Sequence, residues 1–229
     1  MYAAAMPAEP LPDPQGASTS ADAVTAKASS AEVSPIYPGS HPYLHRDVKA
    51  DMGPQPLSSP QKFELAIHSA VWPSSYVGNF VSAGYSHLTD SRPHYGTDRG
   101  GFGERLGAAK LKQVSENFLS YGFFASLFRE DPHYYVMGPS HSFKSRVIYA
   151  PTRVFITRKD SGGSGVNWAK LAGIASTNAL VNLYYPDRDQ GLRVSFEAFG
   201  TNVATTAALM EIDEFLPDLV RAVRHKKKQ

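Results

Sequence analysis

The sequence of 229 residues contains no cysteine. Disulfide bonds, thiolate metal sites and cysteine nucleophiles are therefore excluded. Histidine does not indicate a zinc site either. The chain has no H-E-x-x-H motif, and Pro42 disfavours the helix that would bring His41 and His45 together. We predict a protein with no metal and no cofactor.

A strong charge of either sign is also lacking, since the net charge is +2. A nucleic-acid-binding domain needs a denser basic surface, so we predict no nucleic-acid partner. Basic residues do collect at the C-terminal end, at Arg221, Arg224 and 226–228. Such a cluster is attracted to anionic lipid, which makes a membrane surface or a lipid one possible partner. The alternative is a solvated tail without a partner.

Charged side chains are missing from two long stretches. Leu65–Thr89 contains no Asp, Glu, Lys or Arg, and the single charge in Val166–Tyr185 is Lys170. Each is long enough to cross a bilayer, which gives an alternative interpretation as an integral membrane helical protein. Both are rich in Ser, Asn and Gly, however. Unpaired amides are costly in lipid, which favours a chain that does not span the membrane.

Proline, alanine and serine dominate residues 1–60, which hold ten of the seventeen prolines. A segment of this composition cannot bury enough apolar surface to offset its ordering entropy, so we predict a disordered arm. A helical domain is expected over 61–220 and a basic tail over 221–229. The small residues "AAAMPA" near the start, followed by this spacer, are typical of an exported protein after its signal peptide.

Apolar residues recur every three or four positions after the arm, as at Val114 and Phe118. This spacing predicts a mainly α fold, a helical bundle of about five helices joined by short connections. Pro73 is expected to divide the first helical stretch. The next helix is expected to start near Glu104. Residues 142–160 mix helical and strand signals and are predicted as a helix.

The predicted helix after the "DSGGSG" turn has a face of small residues between two large ones. Such a face permits the close approach of another helix. The face consists of Trp168, Ala172, Ala175, Ala179 and Leu183.

The stretch "SLFREDPHYYVMGPSHSFKSR", 126–146, concentrates charged and aromatic side chains. Asp131 and His133 could form a general acid/base pair, with Arg146 holding an anion. This gives a hydrolase or lyase as one hypothesis. The alternative is structural: Asp131-Pro132 ends a helix, and the tyrosines cover an edge of the core.

Arg146, Tyr149 and Arg153 share one face of the predicted helix. We predict these three as the ligand-binding residues, with a small anion or a lipid headgroup as the ligand. The same side chains, together with Asp131 and Asp160, could instead form an interhelical network that fixes the bundle.

Short motifs follow one another in a fixed order over 61–217. They are Gly101-Phe-Gly-Glu-Arg-Leu-Gly-Ala-Ala109, Asn117-Phe118, Ser126-Leu127, Asp131-Pro-His-Tyr-Tyr135, Arg146-x-x-Tyr149-Ala150, Arg153, Arg158-x-Asp160-x-Gly162, Asn167 and Asn182-x-Tyr-Tyr-Pro186. As an ordered set they resemble a family of uncharacterised bacterial proteins. Its members look exported, with a proline-rich spacer before a helical domain.

The resemblance implies a location in the cell envelope or periplasm, with possible membrane association, and it implies no activity. The sequence departs from the family pattern at Pro151, where a residue compatible with a continuous helix is expected. It also departs at His133, where arginine is usual, and this weakens a catalytic role for His133. We therefore expect a cell-envelope protein with a structural or binding role.

Overall fold

The computed structural model describes residues 42–49, 53 and 55–226. Helices make up most of this part of the chain, which confirms the predicted mainly α fold. The α-helices are α1 Ser59–Val71, α2 Pro73–Leu88, α3 Arg99–Asn117, α4 Ala125–Phe128, α5 Phe143–Thr152, α6 Trp168–Val181 and α7 Leu192–Lys226. The strands are β1 Asp47–Lys49, β2 Tyr134–Val136, β3 Ile156–Arg158 and β4 Ser164–Val166.

Most of the predicted disordered arm, 1–60, lies outside the described residues, as do the last three residues of the predicted basic tail. The arm is described near its end, where β1 pairs in parallel with β2 and Asp47 lies opposite Tyr134. Folded structure therefore begins before residue 61. Parallel pairing between segments so far apart leaves no local sequence pattern that could have predicted it.

Pro73 divides α1 from α2, as predicted. Proline lacks the backbone N–H that a helix interior needs, but it fits the first turn, and Pro73 is the first residue of α2. The uncharged stretch is thus two separate helices. In the described part of the chain, no helix is long and apolar enough to cross a membrane.

α3 begins at Arg99, earlier than the expected start near Glu104. The glycine-rich residues 100–103 belong to the helix and do not form a loop. The Asp98 carboxylate accepts a hydrogen bond from the Gly101 N–H at 2.7 Å and caps this helix. After Asn117 the chain continues through a π-helical segment, Phe118–Phe124, into α4. Such segments are rare and occur frequently at functional sites.

The helix expected over 142–160 forms only in part. α5 ends at Thr152, and β3 then pairs antiparallel with β4, with Ile156 opposite Val166. Isoleucine and threonine favour strands, and the glycines between β3 and β4 favour a turn. Arg153 therefore lies directly after the end of α5, as its C-cap residue.

Charged side chains occupy much of the interior. Lys62, Arg105 and Glu214 are at most 1% exposed. α6 shows the same preference, because it buries Lys170 and leaves Trp168 54% exposed. The small-residue face, expected to permit close helix approach, is therefore the more exposed face of α6. The buried face mixes polar and apolar residues, so apolarity alone does not identify it.

Candidate functional site

A pocket of about 400 Å³ lies among α3, the π-helical segment, α6 and α7. β2, β3, the end of α5 and part of α2 also contribute to its wall. This volume is in the range of small-molecule sites. We call it the polar pocket, because amides, hydroxyls and charged groups make up much of its lining.

Basic residues outnumber acidic residues around the polar pocket. The Lys and Arg residues that line it are Arg46, Arg92, Lys112, Arg153, Arg158 and Lys170. The carboxylates are Glu116, Asp131 and Asp213. A concave site lined by an excess of one charge attracts a ligand of the opposite charge, so the lining favours an anion.

Lys112 projects from α3 and has a neutral hydrogen-bond partner. Its Nζ donates to the Oδ1 of Asn202 on α7 at 2.8 Å. Burial lowers the pKa of Lys112, and Glu116, one turn along α3, opposes the shift. Within the described residues no carboxylate forms an ion pair with Lys112. Its charge is therefore available to a ligand.

Arg153 likewise has neutral partners. Its guanidinium packs over the Tyr149 ring, 4.4 Å from the ring centroid, and donates to the Oγ1 of Thr152 at 3.4 Å. Its Nε is buried without a hydrogen-bond partner. A buried donor without an acceptor costs free energy, and a bound acceptor would recover it.

The π-helical segment brings Tyr121 against Lys170 of α6. The Lys170 Nζ donates to the Tyr121 hydroxyl at 3.2 Å and lies 3.7 Å from the Oε1 of Glu116. Burial alone would raise the pKa of Tyr121, but the positive charges of Lys170 and Arg46 outweigh it and lower the pKa. Tyr121 therefore presents a polarised hydroxyl to the pocket, suited to hydrogen bonding with an anion.

Arg46, which precedes β1, bridges two carboxylates at the pocket wall. Its guanidinium pairs with Asp213 of α7 and, at 3.4 Å, with Asp47. Burial raises the pKa of Asp213 to about 6, with Arg46 opposing the shift and Asp47 adding to it. The charge of Asp213, and with it the local balance around Arg46, thus changes in mild acid.

The predicted acid/base pair also lies in the pocket wall, and both residues are buried. The Nδ1 of His133 lies 2.6 Å from the Oδ1 of Asp131, and its Nε2 lies 3.2 Å from the carbonyl oxygen of Tyr43. Burial raises the pKa of Asp131, but hydrogen bonds from His133 and Tyr135 outweigh it and lower the pKa. Both ring nitrogens are engaged, which suits a positioning role. The hydrolase or lyase hypothesis stays a prediction.

Arg146 is turned away from the pocket. Its Nε donates to the Oε1 of Glu214, and its Nη1 donates to the Oδ2 of Asp218, each at 2.7 Å. Of the three predicted ligand-binding residues, the structure places Tyr149 and Arg153 in the pocket lining and Arg146 in an interior ion pair.

The predicted interhelical network is divided among separate contacts. Asp160 pairs with Lys62 of α1 at 2.6 Å, while Arg146 pairs with carboxylates on α7. Tyr149 donates to the backbone oxygen of Tyr135 at 2.8 Å. Buried polar contacts do connect the helices, but through several independent pairs.

Sequence reasoning missed Arg46, Lys112 and Tyr121 as pocket residues. The sequence does contain an indication for Lys170, the single charged residue in an otherwise uncharged helix. A lysine in such a helix is rarely buried unless it is paired, which indicates a specific polar partner. Lys112 has no such indication, since its neighbours on α3 include other charged residues. Which of them faces inward depends on packing against α7.

No family model, curated protein or solved structure matches the chain. The resemblance to a family of exported bacterial proteins therefore stays a prediction. Within the described residues, no group of three His, Asp or Glu side chains is arranged to hold a metal ion.

Proposed function

We propose that this protein binds a small organic anion in the polar pocket. The observation that carries the proposal is the pair Lys112 and Arg153, two cations whose hydrogen bonds go to neutral partners. Both side chains are partly buried. Partly buried cations without a direct ion pair are costly, and a bound anion offsets that cost. An envelope location belongs to the proposal and is supported by the sequence resemblance alone.

The remaining lining supports a ligand with a polar body. Asn117 and Thr206 line the pocket, and the buried Oγ of Ser120 has no hydrogen-bond partner. These groups suit hydroxyl or carbonyl oxygens beside the anionic group. A hydroxylated carboxylate and the phosphate of a lipid headgroup share this chemistry.

Thermal unfolding in the presence of sulfate, citrate or glycerol 3-phosphate tests the proposal. An anion at one hundred times its Kd stabilises the folded state by about 2.7 kcal/mol, which corresponds to a rise in Tm of about 5 to 10 °C. Lys112→Gln combined with Arg153→Gln should abolish the rise. Lys144→Gln removes one exposed charge outside the pocket and should retain it.

The response identifies the ligand type. Stabilisation by glycerol 3-phosphate but not by citrate indicates a headgroup, and the reverse indicates a free carboxylate. If the double variant responds to each anion as the unmodified protein does, the pocket is not the binding site.

A further inference from the structure

The C-terminal half of α7 is polar on its inner side and apolar on its outer side. Glu214 and Asp218 face inward and pair with Arg146. Four apolar residues at helical spacing face outward, each between 46% and 63% exposed: Ile212, Leu216, Leu219 and Val223. We call these four residues the α7 stripe.

α2 has the same inverted organisation. Asn79 and Ser86 are buried, whereas Val81 is 67% exposed and Leu88 is 87% exposed. α2 contains no Asp, Glu, Lys or Arg. A surface helix in water ordinarily turns its apolar side to the core. Exposed apolar faces on two helices therefore indicate an apolar partner.

Basic residues follow the α7 stripe closely. Arg221, Arg224 and 226–228 lie within the last nine residues of the chain. An apolar helix face beside a cluster of Lys and Arg is typical of helices that lie at the surface of anionic membranes. A second copy of the chain would bring the same positive charge to the contact. Four side chains also cover less area than a stable dimer needs.

We propose that the α7 stripe and the basic C-terminal end dock the protein onto an anionic lipid bilayer. α7 lies along the surface, its apolar side chains enter the boundary of the acyl chains, and its basic residues contact headgroup phosphates. This docking goes beyond anion binding in the polar pocket and does not depend on it.

Co-sedimentation of the full chain with vesicles tests the docking. Vesicles of phosphatidylcholine with about 30% phosphatidylglycerol, the composition chosen for an anionic surface, should bind the protein, and binding should weaken with salt. Lys226→Gln, Lys227→Gln and Lys228→Gln together should weaken it about 100-fold, at roughly fivefold per charge. Leu216→Ser with Leu219→Ser should weaken it about tenfold or more.

Ile67→Ser with Val71→Ser is the matched control, because it removes two apolar residues of α1 that are 59% and 57% exposed. This control should bind as the unmodified protein does, and circular dichroism should show that all variants are folded. The proposal is overturned if the unmodified protein does not bind the vesicles. It is overturned likewise if the control variant loses as much vesicle binding as the variant of the α7 stripe. It is also overturned if sedimentation velocity reveals a dimer that the stripe variant abolishes while vesicles remain unbound.

Discussion

The Nε of Arg146 and the Oε1 of Glu214 lie 2.7 Å apart, with both side chains buried. Glu214 also accepts hydrogen bonds from the Tyr134 hydroxyl and from the N–H groups of Met137 and Gly138. One carboxylate thus joins α7 to α5 and to the chain after β2. This contact neutralises Arg146. Arg153, which follows the end of α5, is therefore the arginine that can contact a ligand in the polar pocket.

Glu214→Gln should destabilise the fold strongly. Glu214→Gln removes the fully buried partner of Arg146 and leaves the less buried Asp218 as its remaining counter-charge. Breaking a buried ion pair in this way costs up to about 3–5 kcal/mol. Urea unfolding measures the loss. Glu197→Gln, which alters exposed pairs with Arg92 and Arg193, should leave stability unchanged. Equal stability of Glu214→Gln and the unmodified protein would contradict the structural role of this pair.

Lys112→Met should stabilise the ligand-free protein. Burial already lowers the pKa of Lys112, so its charged form is held at a cost that methionine avoids. We expect a gain of about 1 kcal/mol, typical of single stabilising changes. Thermal unfolding in buffer without multivalent anions is the measurement, with Lys144→Met as the exposed control. A clear loss of stability would show that Lys112 serves the fold and not a ligand.

Anion affinity should rise as the pH falls through 6. The pKa of Asp213 is raised from 3.8 to about 6, so the folded state binds a proton more tightly than the unfolded state. The stability that this group contributes is fully present below about pH 4 and is lost as the pH rises through 6. Protonation of Asp213 also leaves the charge of Arg46 less compensated.

Titration with sulfate, whose charge is constant over this range, measures the pH effect. Asp213→Asn should make the affinity nearly independent of pH between 4 and 7. Asp218→Asn should retain the pH dependence, because Asp218 does not line the polar pocket. A pH dependence that persists in Asp213→Asn would assign the effect to another group.

Gly173→Ala should destabilise the protein and weaken anion binding. A Cβ atom at Gly173 would overlap the Oγ of Ser120 and lie 2.9 Å from its Cα, so α6 would be pushed from the π-helical segment. Overpacking of this kind costs about 1–3 kcal/mol. Gly107→Ala meets nothing within 4 Å and should instead stabilise α3 by about 1 kcal/mol. Thermal unfolding is the measurement: the Tm should fall for Gly173→Ala and rise for Gly107→Ala.

His133→Gln separates a positioning role from catalysis. The ring holds Asp131 in the pocket wall, so its loss should lower stability by about 1–3 kcal/mol, the cost of an unsatisfied buried group. Calorimetry measures the change, with His141→Gln as an exposed control. An unchanged Tm together with loss of a measured activity would support the hydrolase or lyase hypothesis instead.

The helical fold could be predicted from the sequence because apolar spacing and Pro73 act locally. The polar pocket could not, because it joins residues from distant segments. Arg46 reaches Asp213 only through the parallel pairing of β1 with β2, and Lys112 meets Asn202 only where α3 and α7 pack. Helix faces were predicted from apolarity, whereas the buried face of α6 mixes polar and apolar residues.

Anion binding in the polar pocket is tested most directly by native mass spectrometry of the protein purified gently from its own cells. We predict an adduct of a small anion on the unmodified protein, absent from the Lys112→Gln, Arg153→Gln double variant prepared in the same way. A bare mass for the unmodified protein, or an equal adduct on both, would contradict the proposed binding site.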